Sequence, residues 1–151
     1  STVCYGSVTM SISNRTVQNQ IMTESVAPTL SSISPVDSAS STSCTTTITV
    51  TFSEAMKLTS VTSNTDNTSC SGSIQVSANS FSSSCVQMTS GDPTTSDNRT
   101  FTVTPSTALS NSETFKIKVT TGSKDTSGNP MSSDNTTGTG FTTSGSGKNG
   151  C

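Results

Sequence analysis

Between Thr45 and Met56 apolar and hydroxyl side chains alternate: Ile48, Val50 and Phe52 are separated by Thr49 and Thr51, with Thr47 ahead of them. A period of two in a β-branched run predicts a strand with one buried face and one wet face. The same pattern predicts strands at Thr100–Pro105, through Phe101 and Val103, and at Thr114–Thr120, where Phe115, Ile117 and Val119 alternate with Lys116 and Lys118. Ile74 and Val76 mark a strand over Ser73–Ala78, and Phe141 one over Gly140–Thr143. Phe81–Met88 reads as a further strand. Thr29–Ser34 alternates with Leu30 and Ile33 slightly out of step, and Pro35 ends it as proline ends an edge strand. Glu54–Leu58 predicts a turn or short helical turn, and Ser90–Asn98 and Gly122–Pro130 carry turn chemistry. About seven strands at intervals near ten residues, without a helical period, predict an all-β sandwich.

Upstream, Val8, Met10 and Ile12 alternate with Thr9 and Ser11, while Val3 and Tyr5 sit on the other parity across Gly6, a candidate bulge. The expected organisation is a strand-like extension over residues 1–27, one domain over 28–143, and a flexible Gly/Ser tail, 144–151, ending in Cys151.

Composition explains how such a chain folds with a thin core. Hydrophobic residues are 27% and aromatics 4%, yet charged residues are only 11% and the net charge is −2, unlike the highly charged profile of disordered chains. Serine and threonine make up about two residues in five, far above ordinary usage, which suits a hydroxyl-covered, exported surface protein. Near-neutrality argues against nucleic acid, which needs a basic face, and against electrostatic membrane binding. No run of about 18 apolar residues predicts a spanning helix.

Cys4, Cys44, Cys70, Cys85 and Cys151 form no C-x-x-C pair, and the chain has no His, so disulfides fit better than zinc. Cys70–Cys85 is the simplest internal bridge. Cys4 and Cys151 are expected to pair with each other, with a domain cysteine or with a neighbouring molecule. Without His, a nucleophilic Ser or Cys lacks its usual base, and no enzyme is expected. No cofactor is expected either. Asp92, Asp97, Asp125 and Asn129 are weak calcium candidates, since oxygen ligands on loops suit that ion, but the order of an EF-hand is lacking. Asn14, Asn67, Asn98 and Asn135 lie in N-x-[ST] sequons and are candidate N-glycosylation sites.

Pro28 to Thr143 resembles the bacterial immunoglobulin-like repeat of S-layer proteins, adhesins and other surface proteins. The matching pieces are SSISP at Ser31–Pro35, ITVTFSEAM at Ile48–Met56, FTVTP at Phe101–Pro105, KDTSGNPM at Lys124–Met131 and FTT at Phe141–Thr143. The resemblance implies an immunoglobulin-like β-sandwich at a secreted, extracellular or cell-surface location. It also implies a spacer or adhesive role, with a protein or glycan ligand, in which the three internal cysteines and the single repeat are departures. Some 20 extended residues reach about 65 Å, longer than a sandwich domain. The extension is therefore expected to act on copies of this chain, Val3, Tyr5, Val8, Met10 and Ile12 adding as a donor strand in a head-to-tail filament.

Overall fold

β2 (Ile48–Phe52) sits at the centre of a three-stranded antiparallel sheet, between β1 (Leu30–Ser34) and β4 (Thr100–Val103). The structure is a computed structural model and describes residues 25–151. In the second sheet β5 (Thr114–Val119) is central. β3 (Ile74–Ser77) lies on one side of it; on the other, β6 (Asn135–Thr136) pairs with Lys118 and Val119 and β7 (Phe141–Thr142) with Thr114 and Phe115. The expected all-β, immunoglobulin-like sandwich of about seven strands is thus the fold, with seven strands among the described residues.

Alternation explains the core. Ile48, Val50, Phe52, Phe101 and Val103 point inward from one sheet, and Ile74, Val76, Phe115, Ile117, Val119 and Phe141 from the other; all are buried. Phe52 meets Phe101 edge-on at 5.8 Å between centroids, and Phe115 stacks on Phe141 at 5.7 Å. Each buried Phe contributes on the order of 2–3 kcal/mol of burial energy. On the wet face the threonines pair across strands, Thr49 Oγ1 lying 3.1 Å from Thr102 Oγ1 and Thr51 Oγ1 3.4 Å from Thr100 Oγ1.

Two local expectations change, and one strand was not expected. Phe81–Met88 is not a strand. The Ser77 hydroxyl accepts the N–H groups of Asn79 and Phe81, both at 3.1 Å, and turns the chain away from the ladder; Phe81 takes a φ of 62°. Its ring packs beneath Lys118, whose Nζ is 4.2 Å from the centroid. The short helical turn is a 3-10 turn at Leu58–Ser60, at the end of the expected stretch. β6 has no apolar residue, so alternation could not announce it; Lys118 and Val119 of β5 hold it through the backbone.

The tail differs most. Instead of a flexible segment, residues 144–151 fold back and Cys151 is bonded to Cys44. Asn149 secures the return: its side-chain amide donates to the Ser41 carbonyl at 3.1 Å and to Ser144 Oγ at 2.8 Å, and its carbonyl accepts the Cys44 N–H at 3.2 Å. Cys70 is bonded to Cys85. Beside that bridge the buried Asn64 amide donates to the carbonyls of Asp66, Cys85 and Val86 and accepts from Ser71, tying the loop over 64–71 to the segment at 85–88.

Candidate functional site

An exposed strand edge offers unpaired backbone groups to another chain, and proteins usually cover such edges. Most edges here are covered. Along β4, Thr94 and Thr102 exchange two N–H···O bonds of 2.9 Å, and Met88 bridges Pro105. Along β3, Val86 N–H donates to Val76 O at 2.7 Å and Ile74 N–H to Thr62 O at 2.8 Å. β7 is flanked by residues 39–42, through Thr142 N–H to Ala39 O and Thr42 N–H to Thr142 O.

Two edges remain. Among the described residues, no segment pairs with the outer side of β1 or of β6. They flank one groove of about 360 Å³, with Leu30 and Ile33 as partly buried floor, Val36 at 63% exposure, and Asn135 and Thr136 as the far wall. A bulge between Leu30 and Ser32 breaks the register of β1 against β2, the physical basis of the out-of-step spacing in the sequence.

Asp37 closes one end of the groove. Its carboxylate accepts the backbone N–H of Gly140 at 2.6 Å, of Thr139 at 3.0 Å and of Gly138 at 3.2 Å, drawing the segment before β7 against the segment after β1. The Gly140 N–H above all, with those of Thr139, Gly138 and Ser38, holds the Asp37 carboxyl below its ordinary range despite the opposing effect of desolvation. Asp37 is the single charged side chain lining the groove. A second hollow, of about 490 Å³, lies between Leu58, Val61, Pro93 and Phe101, with Asp92 on its rim.

The calcium candidates are spread over separate turns. Asp125 is buried, which opposes ionisation. Donation from the Asn129 side chain to Oδ2 and from its backbone N–H to Oδ1, both at 2.8 Å, outweighs that burial and lowers its pKa. Asp97 accepts the Thr100 N–H at 2.7 Å and the Arg99 N–H at 2.9 Å, and its pKa is lowered by them in that order. Asp92 stands apart, its N–H on Ser90 Oγ at 3.1 Å. Among the described residues, no three His, Cys, Asp or Glu side chains gather as a metal site. Nor is any helix there long and apolar enough to cross a membrane. Sequon residues Asn67, Asn98 and Asn135 are exposed, and Asn135 stands on the groove wall. Asn14, Cys4 and the donor-strand residues Val3, Tyr5, Val8, Met10 and Ile12 lie outside the described residues.

Neither Asp37 nor the groove is marked in the sequence. Asp37 stands in a Ser-rich loop like many turn-forming aspartates, and its partners lie about 100 residues away, at separations of 101 to 103. The misfit of Leu30 and Ile33 with strict alternation was the available signal.

The model of the bacterial Ig-like domain family matches residues 24–143. Among solved structures, the fold is similar to the N-terminal part of the bacterial S-layer protein SbsC, with a TM-score of 0.51 at 20% identity over 79% of this chain and 24% of that one. It is similar to rSbsC(31-844), with a TM-score of 0.50 at 21% identity, over 79% of this chain and 14% of that one. The structure of surface layer protein SbsC, domains 1-6, gives a TM-score of 0.51 at 20% identity, again over 79% and 14%. The chain therefore spans between 14% and 24% of the length of those structures. No curated protein matches it at the sequence level.

Proposed function

The chain belongs to the bacterial Ig-like domain family, and from that premise we propose that it is a structural subunit of an extracellular or cell-surface assembly, joined head to tail through its N-terminal strand. One observation carries this reading. Val8, Met10 and Ile12 have strand patterning, yet they lie upstream of the family match at 24–143, where seven strands already enclose a core. A further apolar strand finds its burial most directly in another molecule. A contact of that kind is heterologous and does not close on itself, so it propagates as a filament. The S-layer and surface-layer proteins of similar fold support a surface location. The role is mechanical and adhesive rather than enzymatic, in keeping with a sequence that has no His to serve as a base.

The test is deletion of residues 1–22. The truncated protein is expected to remain a folded monomer and to form no filaments by negative-stain microscopy. Filaments of wild-type length from the truncated protein overturn the reading.

A second reading has its own support. The solved structures of similar fold match over only 14–24% of their length, which favours a repeat that spaces other parts of a longer surface chain. A wild-type protein that stays monodisperse and monomeric at every concentration selects this alternative.

A further inference from the structure

We infer that the groove between β1 and β6 is the acceptor for residues 8–15 of a second copy, which enters parallel to β1. The inference rests on the self-assembly reading above and names the site at which that assembly occurs.

Availability comes first. β1 and β6 are the two strand edges left open among the described residues, and they face one groove. An added strand lies about 4.7–4.9 Å from β1 and places alternate side chains on its inward face. That face here is Leu30 and Ile33, apolar residues packed against the core but only partly buried. Val8, Met10 and Ile12 supply side chains of the right kind and period to cover them.

Charge selects direction and partner. Between Ser1 and Thr23 the single charged side chain is Arg15, and the single charged side chain lining the groove is Asp37. With Arg15 beside Asp37, a strand parallel to β1 carries Ile12, Met10 and Val8 back along Ile33 toward Leu30. The antiparallel arrangement, the one a fold-back of the same chain makes most readily, turns Arg15 toward the opposite end of β1. Within one chain the same pairing would leave residues 16–29, about the minimum for a crossover, to run back along the added strand to Leu30. A second copy needs no such return. The chain also enters β1 in the open, with Ser25 exposed and Val26 at 62% exposure.

The experiment uses four variants of the full chain, each checked for wild-type thermal stability. Met10→Asp with Ile12→Asp disables the donor. Ser31→Arg with Val36→Arg, both at exposed positions, blocks the acceptor. Leu58→Arg marks the second hollow as control. By sedimentation velocity, donor and acceptor variants are each expected to be monomeric, their equimolar mixture to form a 1:1 dimer and nothing larger, and the control to assemble as wild type. Arg15→Glu is expected to weaken assembly roughly two- to five-fold at low salt and less at high salt. It also serves if the acceptor variant fails to fold. An acceptor variant that assembles normally, while the donor variant does not, overturns the groove and leaves the self-assembly reading standing. A mixture that stays monomeric overturns the pairing of these two sites. Assembly by the donor variant, or a wild type that never assembles, overturns both.

Discussion

The sulfur of Cys151 is bonded to that of Cys44, so a covalent link spans a sequence separation of 107 from the entry to β2 to Cys151. The Cys70–Cys85 bridge spans a separation of only 15. In the chain-entropy account a loop of roughly 100 residues gives about 4.7 kcal/mol and one of about 15 gives about 3 kcal/mol. Replacing Cys44 and Cys151 by Ala is therefore expected to lower stability by about 4–5 kcal/mol, and replacing Cys70 and Cys85 by about 3 kcal/mol. Urea unfolding of the two double variants checks the order; a larger loss at Cys70–Cys85 contradicts it.

Four of the five cysteines are used by these two bridges, and Cys4 is the fifth. Between copies of this sequence, the unbridged partner open to a Cys4 thiol is therefore the Cys4 of another copy. On non-reducing gels, covalent species are expected to stop at the dimer and to vanish with Cys4→Ser. A ladder of trimers and higher forms contradicts the bridge assignment.

Acid is expected to weaken the fold. Asp37, Asp66, Asp97 and Asp125 all have lowered pKa values in the folded protein. For Asp66 the Thr68 hydroxyl is the largest cause, with the Thr68 N–H second. A lowered folded pKa means that the unfolded chain binds more protons between the two values. The stabilisation is complete above the unfolded pKa, about 3.9, and is lost as pH falls through the lowered folded values. The urea midpoint should thus hold near neutrality and drop below about pH 4. Asp37→Asn should lower the midpoint at neutral pH and make its acid slope shallower; an unchanged slope counts against the clamp.

Gly140 and Gly128 separate two reasons for glycine. Both have positive φ, 89° and 92°. A Cβ at Gly140 would collide with the Phe115 carbonyl oxygen, whereas at Gly128 it meets nothing within 4 Å. Gly128→Ala is expected to cost about 1 kcal/mol, the conformational penalty alone. Gly140→Ala should cost clearly more, because the β5–β7 pairing must shift to admit the methyl. Comparing thermal midpoints of the two variants checks this, and equal losses sink the steric argument.

What could be read from the sequence follows from how local each signal is. Ile48, Val50 and Phe52 announce β2 by themselves, and Phe115, Ile117 and Val119 announce β5, because alternation within one segment reports a buried face. The family pieces at Ile48–Met56 and Lys124–Met131 set the sandwich. β6 could not be read, since Asn135 and Thr136 bury nothing and exist as a strand only through β5. The groove is a relation between β1 and a segment about 100 residues later, and Asp37 acquires its role only when residues 138–140 arrive beside it. The tail misled because Gly and Ser suggest freedom, while Asn149 and Cys151 remove it.

The Cys44–Cys151 bond also decides how the molecule responds to tension. A pull applied between Ser25 and Cys151 passes from Cys44 directly to Cys151 and bypasses everything between them. Only the 20 residues from Ser25 to Cys44 can straighten, about 65 Å at full stretch. Without the bond the same pull could draw out more than about 400 Å. Strands β2 to β7 all lie inside the closed loop, so whatever happens to β1, the chain between Cys44 and Cys151 cannot be drawn out while the bond holds.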